Sequence, residues 1–429
     1  MGSSSQSDRY LVMSLDSHVS PPREAYRDYC ETKHLAQFDA WAAKDAIHHF
    51  SAMPEIQQLE LRFSNDPGVN DPHERLANMD ADGITAEVIF HGNPSSKGSD
   101  LASFRVGDKR GRENYYGYHL FNRWLADYTA QAPERLMGVA QIPRWDIDGC
   151  VAETTWAAEH GIRYVNLPGM WPGMTPYDDE AWEPLWNVCE DAGIVLHSHA
   201  GGVYSPEMVR PGPIGNSVFL SQHLYMGRRH LTYLLFGGVF ERHPKLKLVL
   251  AEQRLHWIPD QLVEWDGLYH TPLNRVIKQS LPRPPSEYFR EHFFLGTSFL
   301  AHFEAELRHE IGLEMYGWGR DFPHFEGTWP HTLAAMQSAL WDVPTGEVRQ
   351  ILGENAVRFY GLDRKPLADI AARIGPRPEE VATKLESIPP DAMSHAFRDN
   401  GTYSLHEPIL PVTPAATVPD VSTGRQSRF

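Results

Sequence analysis

Eight short apolar runs, rich in β-branched and aromatic residues, recur along the chain: LVMSLDS (11–17), ITAEVIF (84–90), LMGVAQI (136–142), IRYVNLP (162–168), GIVLHSH (193–199), LKLVLAE (246–252), HFFLGTS (292–298) and EMYGWG (314–319). Runs this short and continuous suit strands covered on both faces. Between them, 112–132, 146–160, 179–192, 221–242 and 345–359 place apolar residues at i, i+3, i+4 spacing, as helices with one buried face do. Eight strands with helical connections predict a (β/α)8 barrel; a doubly wound open sheet is the competing arrangement. A chain of 429 residues, 41% hydrophobic, can bury a core of that size. The connection 18–83 is long, so an inserted segment is expected after strand 1. Past NAVRFYGL (355–362) the character changes: 363–429 opens with helix-like PLADIAARI and then turns rich in Pro, Ser and Thr. The organisation expected is a loose tail at 1–9, a barrel over 10–362, and a C-terminal extension that is disordered or serves as an interface arm.

Charge and cysteine content exclude several classes of partner. The formal charge of −17 is spread out, and Lys and Arg form no basic stripe, which argues against nucleic acid and anionic membranes. No apolar run approaches the roughly 18–20 residues of a membrane span. Cys30, Cys150 and Cys189 are far apart and odd in number, giving neither a disulfide framework nor a CxxC metal clip, so a reducing, cytoplasmic setting is expected. Symmetric assembly is expected, as a homo-oligomer or with a related chain.

In a parallel barrel the chemistry sits at the C-terminal ends of the strands. Strand one ends in Asp16-Ser17-His18, where alternation sends Asp16 and His18 to the same side. The fifth ends in His197-Ser198-His199, the sixth in Glu252, and the eighth leads into Asp321 in GWGRDFPHFEGTWP (317–330). Imidazoles and carboxylates converging on one mouth can hold a divalent metal at about 2.0–2.2 Å. Each has a plainer reading: Asp321 and Glu252 as helix caps, Asp16-Ser17 as turn chemistry before Pro21-Pro22. The two strand-end histidines are harder to explain that way, because burying them without partners is costly. His324 and His91 are read as supporting or structural groups, and His48, His49, His160 and His309 as surface residues. Trp171, Trp182, Trp257 and Trp329 are candidates for a pocket wall, although large aromatics in such a barrel are mostly core.

Together DSHVSPP (16–22), RLANMDADGITAEVIF (75–90), RLMGVAQIPRWDIDGCV (135–151), YDDEAWEPLWNVCEDAGIVLHSHAGG (177–202), GGVFERHPKLKLVLAEQRLHWIP (237–259), PSEYFREHFF (285–294) and MYGWGRDFPHFEGTWPHT (315–332) resemble the amidohydrolase-related metal-dependent hydrolases. That branch includes the carboxymuconate-semialdehyde and resorcylate decarboxylases. The resemblance implies a distorted (β/α)8 TIM barrel and assigns Asp16, His18, His197 and Asp321 as ligands of a catalytic metal. Departures are also visible. The bridging lysine of the two-metal hydrolases is replaced by Asn166, the histidine that decarboxylases carry after strand six by Glu252, with His256 four residues on, and the Gly-Ser before the last aspartate by Gly319-Arg320.

Asp16, His18, His197 and Asp321 would suffice for a mononuclear centre, and adding Glu252 and His199 gives enough ligands for two ions. Such a mixed set suits iron or manganese as readily as zinc; no organic cofactor is indicated. The leading expectation is a dinuclear Fe/Mn non-haem oxygenase that uses O2 to hydroxylate a small organic acid or amine. In it Asp321 and Glu252 take part in catalysis and Arg320 holds a substrate carboxylate. The alternative is a Zn/Mn hydrolase or non-oxidative decarboxylase of a small acid with Asp321 as base and Glu252 orienting a ligand. A third reading is a catalytically silent metal-bound subunit supporting a paralogue.

Overall fold

The computed structural model describes residues 9–43, 65–92, 115–171, 173–199, 227–272, 275–298 and 300–399, with short pieces at 101, 104–106, 215, 218, 221–222, 224–225 and 402–403. His48, His49 and the tail beyond Tyr403 lie outside them. Nine parallel strands form one closed sheet: β1 (Met13–Ser14), β2 (His18–Val19), β3 (Ala86–His91), β4 (Leu136–Gln141), β5 (Tyr164–Asn166), β6 (Val195–His199), β7 (Lys247–Ala251), β8 (Phe293–Ser298) and β9 (Tyr316–Gly319). β1 and β2 are two halves of the first barrel strand, interrupted at 15–17. Met13 pairs with Ala86 on one side and Ser14 with Trp318 on the other, which closes the eight-position barrel.

Alternation sorts the side chains. Leu11, Met13, Leu15, Ala86, Val88, Phe90, Met137, Val139, Val195, Val249, Ala251 and Phe294 fill the interior, while the opposite faces of the strands meet the surrounding helices. Gly317 is needed in that interior: a Cβ there would lie 2.2 Å from Leu15 Cδ1. The helix Asn355–Tyr360 and the helix Arg364–Ile374 contribute Ala356, Val357, Leu367 and Ala371 to the same cluster, so they plug one end of the barrel.

The long connection after β2 holds short 3-10 turns (Arg23–Tyr29, Thr32–His34), the helix Leu35–Ala42 and the helix Pro72–Ala81, which Asp71 caps by accepting from the amides of His73 and Glu74. The C-terminal extension differs from the expected separate arm over 364–397. Leu367, Ala371, Val381, Ala396 and Phe397 are buried against their own chain, and the Tyr10 amide donates to the Pro376 carbonyl at 2.8 Å. The apolar positions of PLADIAARI already held the reason, since their face meets the barrel end. Among the described residues no helix is long and apolar enough to cross a membrane.

Candidate metal centre

The break in the first strand builds one side of the site. After Ser14 the chain leaves the ladder and returns at His18, and this turns the Asp16 and His18 side chains into the barrel mouth, Asp16 fully buried. Gly319 leaves room for them: a Cβ there would lie 2.9 Å from Ser298 Oγ and 3.2 Å from Asp16 Cβ. The last strand then delivers Asp321, whose amide donates to the Asp16 carbonyl at 2.8 Å while the His18 amide donates to the Phe322 carbonyl at 2.6 Å. Asp321 and Glu252 both have φ of 52°, and among the described residues they are the two non-glycine residues in the left-handed region. Such backbone costs about 1–3 kcal/mol per residue, is over-determined by its surroundings, and clusters at functional sites.

His18 is the hub. Its Nε2 lies 3.3 Å from Asp16 Oδ1 and 3.1 Å from Asp321 Oδ1. Yet neither nitrogen of His18 and neither carboxylate oxygen of Asp321 has a hydrogen-bond partner among the described residues, although all four atoms are buried. Donor atoms that crowd together without bonding one another are aimed at a common point, the arrangement of a metal site rather than of an ion pair. Asp16, His18 and His199 form one group, with ligand atoms within 4.8 Å of one another, and His18, Asp321 and His324 form a second. His199 Nε2 is 3.1 Å from Asp16 Oδ1, and its Nδ1 lies 3.4 Å from Glu252 Oε2. Ser298 Oγ donates to Asp16 Oδ2. The donor set therefore fits a divalent cation held by oxygen and imidazole nitrogen.

The electrostatics agree. Burial opposes ionisation of Asp16, but His199 and then His18 outweigh it and hold this carboxyl well below its ordinary range. Burial, with His324 beside it, lowers His18 and so favours the neutral imidazole that metal binding requires. Burial dominates at Asp321 and raises it, and it pushes Glu252 up to about 8, His199 opposing and Asp321 and Asp16 adding to the rise. His324 moves up to about 10: burial resists, and the carboxylates of Asp321, Glu326 and Glu252 prevail.

Two expected residues are placed elsewhere. His197 points into the barrel one layer below His199, where Nδ1 meets the Val195 carbonyl at 3.2 Å and Nε2 the Tyr360 hydroxyl at 2.8 Å. Of the two strand-end histidines it is His199, not His197, that lies beside Asp16 and His18. Arg320 does not offer its guanidinium to a substrate; it is fully buried against Glu87, Asn78 and Asp82. His256 is half exposed beside Glu304, the His91 ring packs on Phe121, and Asn166 bonds Gln141. Trp182 is core, Trp329 packs on Phe322, Trp171 lies under Arg144 and Trp257 under Arg228. Three residues were missed. Ser298 had a signal, its place at a strand end; Glu326 and His395 had none. The Glu326 carboxylate lies 3.6 Å from His324, and the His395 amide donates to the Glu326 carbonyl at 3.3 Å, which brings the extension to the rim.

A profile described as Amidohydrolase matches residues 16–362. The gamma-resorcylate decarboxylase of Rhodococcus jostii is 26% identical over 260 residues, covering 57% of this chain and 76% of that protein. The 2-amino-3-carboxymuconate-6-semialdehyde decarboxylase of Dictyostelium discoideum is 21% identical over 386 residues, covering 83% and 93%. Among solved structures, the 5-carboxyvanillate decarboxylase of Novosphingobium aromaticivorans, complexed with manganese and 4-hydroxy-3-methoxy-5-nitrobenzoic acid, superposes with a TM-score of 0.59 at 18% identity, covering 83% of this chain and 97% of that one. These relatives lend no support to an O2-dependent hydroxylase and accord with the decarboxylase alternative. With its closed parallel barrel and a profile match across most of its length, this chain belongs to the amidohydrolase family.

Proposed function

We propose that this protein is a metal-dependent, non-oxidative decarboxylase of a small aromatic or unsaturated acid. The observation that carries the metal half is the convergence of unbonded His18 and Asp321 atoms beside Asp16 and His199; the two curated decarboxylases support the reaction class. Asp16, His18, His199 and Asp321 would hold the ion, with manganese favoured by the solved relative. When bound, the ion polarises substrate oxygens and neutralises charge that builds up as the carboxyl group leaves.

The chain's own groups do the rest. A ligating carboxylate must give up its proton, so Asp321 serves as an anion in the loaded protein. Glu252 stands outside both ligand groups, and burial pushes its carboxyl up to about 8, which favours the protonated form of a general acid. As the C–C bond breaks, its electron pair stays on the substrate carbon, and the Glu252 proton moves to that carbon; carbon dioxide departs and water reprotonates Glu252. Arg254, two residues further on, is the cation assigned to the acid: its Nε is buried and lacks a hydrogen-bond partner among the described residues, and Nη2 lies 3.4 Å from His395 Nδ1.

The test is carbon dioxide release by manganese-loaded protein, under argon, from 2,6-dihydroxybenzoate, 5-carboxyvanillate and related acids. Release without oxygen, reduced about 100- to 10,000-fold in Glu252→Gln, is the expected result. Activity that appears only with oxygen and yields a hydroxylated product would restore the hydroxylase reading.

A further inference from the structure

Arg320 was expected at the mouth, and its actual place points to another role. Behind the barrel wall, between β3 and the helix Pro72–Ala81, the Glu87 carboxylate is shared by two guanidiniums. Arg75 Nε donates to Oε2 at 2.6 Å and Arg320 Nε donates to Oε1, with all three side chains fully buried. Arg320 Nη1 also donates to Asn78 Oδ1 and Asp82 Oδ2, both at 3.0 Å, and Thr332 Oγ1 donates to the same Asp82 oxygen at 2.7 Å.

This network grips the backbone of the metal-bearing segments. Arg75 Nη1 donates to the carbonyl of His18 at 3.0 Å. Arg320 immediately precedes Asp321; its amide donates to Ser14 Oγ at 3.0 Å, and Ser14 Oγ in turn donates to the Asp16 carbonyl at 2.8 Å. The Phe322 ring, whose carbonyl accepts from the His18 amide, has the Arg75 guanidinium 4.3 Å and the Arg320 guanidinium 4.8 Å from its centroid. Each segment that carries Asp16, His18 or Asp321 is thus tied to one buried cluster of charges. The left-handed backbone of Asp321 needs such outside support.

We propose that Arg75, Glu87 and Arg320 are positioning residues of the metal centre, holding His18 and Asp321 in mutual register from behind the strands. Buried ion networks are poor sources of stability, since hydrophobic replacements of similar volume are often neutral or stabilising, but they can fix one arrangement of the chain. Outer groups that orient metal ligands typically change affinity about 10- to 100-fold when removed. The inference rests on the proposed metal site.

The experiment measures manganese affinity by calorimetry, the electron paramagnetic resonance spectrum of the bound ion, and the melting temperature of the metal-free full chain. It compares the natural protein with Arg320→Lys and with the triple variant Arg75→Met/Glu87→Leu/Arg320→Met made on an Asp82→Asn background, so that no charge of the network is left buried without its partner. The expected result is a triple variant that melts near the natural temperature yet binds manganese about 10- to 100-fold more weakly with a broadened spectrum. Arg320→Lys, which keeps charge but loses the fork, should fall between. Unchanged affinity and spectrum in a folded triple variant would overturn the inference, as would a triple variant that does not fold together with an Arg320→Lys that loses only melting temperature. Natural protein that binds no manganese would instead remove the metal site itself.

Discussion

His197 and His199 show what a residue's chemistry owes to depth. Both project into the barrel, as alternation requires, and the period of two distinguishes sides but not layers. His199 reaches Asp16, whereas His197 is closed off by the Val195 carbonyl and by Tyr360, a residue 163 positions later. Nothing near GIVLHSH announces that tyrosine, so the sequence reveals a pair of histidines without saying which one meets Asp16 and which one meets the tyrosine. Burial holds His197 down to about 3, neutral at any physiological pH. Two substitutions separate the roles. If the proposed assignment of His199 as a ligand holds, His199→Ala should weaken manganese binding by more than about 100-fold, since losing a ligand exceeds the usual cost of losing its outer partner. Tyr360→Phe should leave that affinity unchanged and cost about 1–2 kcal/mol of stability, the penalty of an unpaired buried nitrogen. Calorimetric titration with manganese and denaturant melts of both variants provide the check.

Elements were legible wherever periodicity alone decides them. All eight apolar runs became strands of the barrel, and the helices Tyr116–Thr129, Ile147–Glu159 and Glu183–Ala192 lie within the stretches that their spacing marked. The split of the first strand was not legible, because it arises from Ser17 and His18 pairing with segments far away in sequence, Phe322 and Phe90. Packing between elements was equally hidden. Helices Tyr116–Thr129 and Ile147–Glu159 are cross-linked through Glu153, which accepts from Asn122 at 3.0 Å and from Arg123, with His119 Nδ1 at 2.8 Å. Burial opposes ionisation of Glu153, but His119 and Arg123 hold it down to about 2 from 4.5. A folded value below the unfolded one stabilises at higher pH, and the contribution is lost as pH falls from about 4.5 toward 2. The shift corresponds to roughly 3 kcal/mol. Glu153→Gln should therefore be less stable than the natural protein by roughly that amount at pH 7, with the gap narrowing as the pH is lowered. Urea melts across pH 7 to 3 measure it, and a gap independent of pH would assign the cross-link to packing rather than charge.

At the scale of the molecule, the profile match ends at residue 362, but the folded unit does not. The helix Arg364–Ile374 buries Leu367, Ile370 and Ala371 at the plugged end, Arg9 Nη1 donates to the Gly375 carbonyl at 2.6 Å, and Val381 and Phe397 are covered further along. On the opposite side, His331 Nε2 meets Asp391 Oδ1 at 2.9 Å and His395 reaches the rim of the candidate site. One segment of about 35 residues therefore runs from barrel floor to barrel mouth. Full burial of a Leu, Ile, Val or Phe side chain contributes about 1.5–3 kcal/mol, so uncovering Leu367, Ile370, Val381 and Phe397 together removes an amount comparable with the 5–15 kcal/mol that holds a typical domain folded. A chain ending at Leu362 should consequently fail to accumulate as a cooperatively melting protein, and a chain ending at Ile374, which keeps Leu367 and Ile370 but drops Val381 and Phe397, should melt below the full length. Calorimetric scans of the two truncations decide it. A stable, manganese-binding 1–362 fragment would show that the extension is dispensable for the barrel and would return it to the role of an arm for a neighbouring chain.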